Sequence, residues 1–191
     1  MATYMCAILM YTMPLALDPI RQEVFTGFLV VIFLVTFLLP AINIAIFRMF
    51  GSISSLEMQN RRDRILPFLF IALLYAGMTY LFYWKFKIDF THNILKFLVI
   101  MNLLVIGAAL ATLFYRVSIH SIGVCGLLGV LIPLNKVSED DVLFYPILAI
   151  IVAAGIVMSS RLQLNAHTPR EVMIGAVLGF TISFVSMLVL F

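Results

Sequence analysis

Ser160-Arg161-Leu162-Gln163-Leu164-Asn165-Ala166-His167-Thr168-Pro169-Arg170-Glu171 is a polar island between two apolar runs, residues 142–159 and 172–191. Each run is about as long as a helix needs to cross a bilayer, for which ~20 apolar residues suffice. Arginine, histidine and a carboxylate beside hydrocarbon are costly unless paired or used, so the island is read as a functional site. Thr168, Pro169 and Glu171 also spell a helix start: Thr168 as N-cap, Pro169 as the first helical residue and Glu171 as capping-box partner. His167 then precedes a helix N-terminus, where amide N–H groups and the dipole favour an anion. Arg161 adds a planar fork suited to phosphate oxygens.

Working outward, the same alternation of long apolar runs and short polar links covers most of the chain. It has 191 residues, 64% hydrophobic and 11% charged, with a mean hydropathy of +1.16. Soluble domains carry about 45–50% apolar and about 25% charged residues, so this is an integral membrane protein. Uncharged or nearly uncharged spans are expected over residues 24–47, 65–84 and 93–115, then from the tight turn at 116–120 to 134, and over 142–160 and 172–191. Pro40 should kink the first. The fold class is therefore all-α, a polytopic bundle with a six-helix core. Residues 1–17 are apolar but short and no basic segment precedes them, which argues against an ordinary secretory signal. They read as a short or re-entrant extra helix, or as the remains of a longer segment. With no repeat, linker or low-complexity tract, a single domain over 1–191 is expected, its core 24–191.

Tyr80, Tyr83 and Trp84, followed by Lys85 and Lys87, form an interfacial aromatic belt with basic anchors. Lys96 sits near the end of its span and can snorkel. The net charge of +3 is small and its arginines lie in short loops, so no nucleic-acid surface is read. Cys6 and Cys125 lie inside apolar runs and are expected as buried thiols. Gly123, Gly126, Gly129, Gly175 and Gly179 recur at intervals that let helix backbones approach closely and are read as packing positions.

Counting spans sorts the polar groups by face. An even number of crossings returns the chain to the same side, so the loop at Arg61 to Arg64, the turn at Arg116 to His120 and the island at Arg161 to Glu171 should share one face. His92, Lys136 and the acidic group Glu139-Asp140-Asp141 should lie opposite. The island's face carries seven Arg and Lys (Arg48, Arg61, Arg62, Arg64, Arg116, Arg161, Arg170) and the other five (Arg21, Lys85, Lys87, Lys96, Lys136). That count weakly favours a cytoplasmic site.

The island resembles the third motif, SRxxxxxHxxxD, of the type 2 phosphatidic acid phosphatase superfamily. Ser160, Arg161 and His167 match in identity and spacing, and Glu171 stands where the family has Asp. The turn Val117-Ser118-Ile119-His120 is similar to the second motif, PSGH, with Val117 and Ile119 replacing its proline and glycine. The first motif, KxxxxxxRP, is not recognisable, and Arg116 occupies its place. The resemblance implies a metal-independent phosphatase without a cofactor, acting on a membrane lipid phosphate or diphosphate in a bilayer. It implies His167 as nucleophile, His120 as general acid, and Glu171 as the acceptor that holds the tautomer of His167. Arg161, Arg116 and Ser118 would bind the phosphoryl group, with Arg64 and Arg61 contributing charge from their loop.

The resemblance places the site on the extracytoplasmic face, with a bacterial inner membrane as the expected setting, against the arginine count, because arginines held by chemistry are poor topology votes. Phosphatidic acid, phosphatidylglycerol phosphate, undecaprenyl diphosphate and the phosphates of lipid A all remain open as substrates, and oligomeric state is left unassigned. Two departures bear on activity. Ile119 for glycine narrows backbone approach to phosphate, and Glu171 for Asp adds a methylene beside His167. The readings weighed against an enzyme are a non-catalytic protein that binds or transports an anion or lipid headgroup, and a haem or metal protein ligated by His120 and His167.

Overall fold

A computed structural model describes residues 1–53, 62–138 and 141–191. The described residues are all-helical, in the order α1 (Ala2–Thr12), α2 (Phe25–Phe33), α3 (Leu39–Met49), α4 (Arg62–Trp84), α5 (Asn93–Phe114), α6 (Ile119–Val137), α7 (Phe144–Gln163) and α8 (Pro169–Leu190). Two 3-10 turns, Pro14–Leu17 and Gln22–Val24, link α1 to α2, and a π-helical turn, Leu34–Leu38, joins α2 to α3. Among the described residues six helical segments are long and apolar enough to cross a membrane. They are Gln22–Met49, Asp63–Trp84, Asn93–Phe114, Ile119–Val137, Phe144–Gln163 and Pro169–Leu190, an arrangement that suits a multi-pass membrane protein. All six coincide with the expected spans to within a few residues. The exception in detail is α4, which begins at Arg62, so Asp63 and Arg64 belong to a helical first turn and not to a loop. The 11-residue α1 is apolar but at ~1.5 Å per residue falls well short of a bilayer.

The helices fall into two compact units, Ala2–Phe114 and Tyr115–Phe191. In the first, α4 packs on α3 and α5, and α1 packs on α2. Pro40 explains the π turn. Proline has no N–H and its ring crowds the carbonyl four residues back, which is Thr36. The backbone answers by widening, so that Leu39 N–H donates to Leu34, five residues earlier. The Thr36 carbonyl released in this way accepts from the Tyr75 hydroxyl of α4 at 3.2 Å. On α5, the buried Asn102 donates through Nδ2 to Thr79 Oγ1 at 2.6 Å and to the Tyr75 carbonyl at 3.3 Å. Such bonds join helices where hydrocarbon offers the backbone no partner.

In the second unit α6 packs against both α7 and α8. The α6–α8 seam is set by glycine. A methyl group on Gly175 would lie 2.6 Å from the Ser118 carbonyl oxygen, and one on Gly129 would lie 2.6 Å from that of Phe180. One on Gly179 would be nearer still to the Ile122 carbonyl. These three positions therefore carry helix packing, as the sequence spacing suggests. In contrast, α7 is hardly covered, and Leu148, Ile151, Val152 and Ile156 are exposed as side chains facing acyl chains would be.

Candidate functional site

The linker between α7 and α8 is short because both of its ends are capped within the sequence. At the end of α7, Ala166 N–H donates to the Arg161 carbonyl at 3.1 Å and Asn165 N–H to that of Leu162 at 3.0 Å. This pair of bonds is a Schellman closure, which needs a left-handed residue at its turn. Asn165 supplies it with φ of 50°, a conformation asparagine tolerates better than most residues. At the start of α8, Thr168 Oγ1 accepts from Glu171 N–H at 3.4 Å, and the Glu171 carboxylate accepts from Thr168 N–H at 3.1 Å. The expected capping box is present.

His167 is caught between these two caps. Its Nδ1 lies 2.8 Å from Glu171 Oε2, the same oxygen that accepts from Thr168 N–H. Both side chains are largely buried, at 10% and 12% exposure. A carboxylate acceptor at Nδ1 keeps the proton there and leaves the lone pair on Nε2. Glu171 thus caps the helix and orients the imidazole at once.

The start of α6 meets this rim directly. Ser118 N–H donates to the Glu171 carbonyl at 3.2 Å. Arg116, in the link before α6, donates from Nη2 to the Ala166 carbonyl at 2.9 Å, and its Nε is 3.9 Å from Glu171 Oε2. An open cleft of about 410 Å³ is lined by Arg116, Leu162, Asn165, Ala166, His167, Thr168, Pro169 and Glu171. The Nε groups of Arg116 and Arg161 are buried without hydrogen-bond partners. Leaving such a charged donor unsatisfied costs ~1–3 kcal/mol or more, which an anion would offset at Arg161, whereas Arg116 Nε already has the Glu171 carboxylate 3.9 Å away. His120 is exposed at the second position of α6.

The structure brings His167, Glu171 and Arg116 together at the cleft, whereas Arg161, in the last turn of α7, and His120, at the start of α6, are not among its lining residues. Ser118 is different. It is fully buried, caps α6 by accepting from Ser121 N–H at 3.4 Å, and accepts again from the Ser121 hydroxyl at 2.9 Å. Its side chain does not line the cleft. Arg64 is buried in the first turn of α4, within the other unit, and Arg61 lies outside the described residues. His92 is a loop residue paired with Asp89 at 3.0 Å; hydrogen bonds from Thr91 hold the Asp89 carboxyl below its usual range. Asn165 and Thr168 line the cleft although the sequence marks them only as turn and cap residues.

Among the described residues no three His, Cys, Asp or Glu side chains cluster as metal ligands would. No protein-family model, curated protein or solved structure matches the chain.

Proposed function

We propose that the chain is a metal-independent phosphatase of a lipid phosphate or diphosphate, working through a phosphohistidine. The observation that carries this reading is the bond from His167 Nδ1 to Glu171, made at a helix N-terminus inside a cleft beside two arginines whose Nε groups lack hydrogen-bond partners. The resemblance of Ser160-Arg161 and His167 to the third superfamily motif supports it independently.

In this mechanism His167 Nε2 attacks phosphorus and the bond from phosphorus to the lipid oxygen breaks. His120 gives its proton to the departing alkoxide or phosphate. Water then attacks the phosphohistidine, giving a proton back to His120; the P–N bond breaks and inorganic phosphate leaves. Arg161 stabilises the charge that builds on the phosphoryl oxygens, a contact typically worth ~10²–10³ in rate, while Arg116 lines the cleft beside His167. The lipid tail stays in hydrocarbon while its headgroup meets the rim.

The test is release of phosphate, with EDTA present, from a panel of phosphatidic acid, phosphatidylglycerol phosphate and polyprenyl diphosphate in detergent. Wild type should turn over at least one of them and His167→Ala none. His120→Ala should accumulate acid-labile labelled protein. Equal turnover by wild type and His167→Ala ends the nucleophile assignment.

The burial of Ser118 and its use as a cap favour one second reading, a protein that binds phosphorylated headgroups without turnover. Binding of the same lipids with no phosphate released selects it. The site is proposed to face outward across a bacterial cytoplasmic membrane. Leu164 is exposed in the α7–α8 link and both native cysteines are buried. Leu164→Cys should therefore react with an impermeant maleimide in intact cells, and protection of that cysteine until lysis would reverse the orientation.

A further inference from the structure

Arg116 reaches the nucleophile's surroundings from both directions. Its Nη2 donates to the carbonyl of Ala166, the peptide unit directly before His167. Its Nε lies 3.9 Å from Glu171 Oε2, an ion-pair contact and not a hydrogen bond, and that oxygen receives the His167 Nδ1 proton. Nε–H and the neighbouring Nη2–H form the edge with which arginine makes two parallel bonds to a phosphate or carboxylate. Here that edge is turned toward protein, toward a backbone carbonyl and a carboxylate, while the same side chain still lines the cleft.

We infer that Arg116 is a positioning residue that braces His167, fixing the α7–α8 linker by its carbonyl and the imidazole by its carboxylate partner. The inference concerns the ring that the proposed function uses as nucleophile and rests on that reading for its kinetic consequence. Its structural content stands without turnover. Lysine keeps the charge but offers one ammonium on a flexible stem, which cannot hold both anchor points in a fixed plane. The brace therefore fails in Arg116→Lys as well as in Arg116→Gln, whereas simple attraction of an anion survives in Arg116→Lys.

Two measurements test it on the full chain in detergent. The first uses protein labelled with ¹⁵N-histidine. Wild-type His167 should show one tautomer with a slowly exchanging Nδ1–H, and both Arg116 variants should show faster exchange of that proton and a mixed tautomer. The second is kinetic: on the best lipid of the panel, Arg116→Lys should lose ~10–10²-fold in kcat, the scale of a slightly misplaced reacting group, with KM changed less than threefold. Circular dichroism and gel filtration establish that the variants are folded; if only Arg116→Lys folds, it decides alone. Histidine spectra unchanged in the folded variants, or a wild-type His167 that already exchanges between tautomers, would overturn the inference. So would a rise in KM with kcat intact. Absence of turnover in wild type would defeat the proposed function, and the histidine spectra would still decide the brace.

Discussion

Gly175→Ala is the substitution that most directly probes how the rim is assembled. A methyl group at this position would lie 2.6 Å from the Ser118 carbonyl oxygen, where ordinary contact begins near 3.4 Å. The obstacle is backbone, not the end of a flexible side chain, so α8 and the start of α6 must separate by the difference, about 0.8 Å. The bond from Ser118 N–H to the Glu171 carbonyl spans 3.2 Å. Stretched by that amount it reaches about 4.0 Å, beyond hydrogen-bonding range. Overpacking of this kind costs ~1–3 kcal/mol and the lost bond adds ~1 kcal/mol, so stability should fall by roughly 2–4 kcal/mol. The same displacement moves His120 relative to His167 and should lower phosphate release by ~10²-fold.

Gly155→Ala is the matched control. It lies mid-helix in α7 with no atom within 4 Å of the added methyl, so it should be neutral or stabilising by up to ~1 kcal/mol through helix propensity alone. Unfolding of both variants in detergent, followed by circular dichroism, compares them directly. Gly175→Ala as stable as Gly155→Ala would refute the close approach of α6 to α8 at the bond from Ser118 to Glu171.

Three further substitutions test separate parts of the structure. Tyr75→Phe removes the donor to the Thr36 carbonyl that Pro40 leaves without a helical partner; it should cost ~0.5–2 kcal/mol in a detergent unfolding curve, and no loss would mean that this carbonyl is satisfied otherwise. Asn165→Val forces a β-branched residue to φ of 50° and should cost ~1–2 kcal/mol, whereas Asn165→Gly should be within a few tenths; equal melting temperatures would contradict the left-handed turn. Glu171→Gln keeps an oxygen for Thr168 N–H, so its melting temperature should stay close to wild type while phosphate release falls ~10²-fold, and Glu171→Ala should lose the cap as well, at ~1 kcal/mol. Activity retained in Glu171→Gln would show that the carboxylate's charge on His167 is dispensable.

The six spans are legible in the sequence because hydropathy is a property summed over some twenty residues, which no single side chain overturns. The start of α4 at Arg62 is not legible, since a charged stretch reads equally as a loop or as the exposed first turn of a helix. Within the site, what reads correctly is local along the chain. His167, Thr168 and Glu171 lie within five residues, and their spacing around a helix start fixes their contacts. What does not read is the bond from Arg116 to the Ala166 carbonyl, because a main-chain carbonyl has no signature in residue type. The same holds for Ser118, whose role turns on Ser121 three residues later and on how closely α8 approaches at Gly175.

The Glu171 departure shows how the two kinds of information combine. Set against the motif alone, a glutamate in place of aspartate is a departure beside the proposed nucleophile, although its spacing from Thr168 already marks it as a capping-box partner. In the fold it stands at the third position of α8, and one carboxylate oxygen must reach back to the N–H of Thr168 and to the ring of His167, which precedes the cap. The longer side chain is the one that reciprocal capping ordinarily uses. Aspartate here would have to give up the cap, the imidazole, or the present backbone path between them. Glutamate is therefore the residue this linker requires, and Glu171→Asp should weaken both the helix start and the hold on His167, not restore a better site.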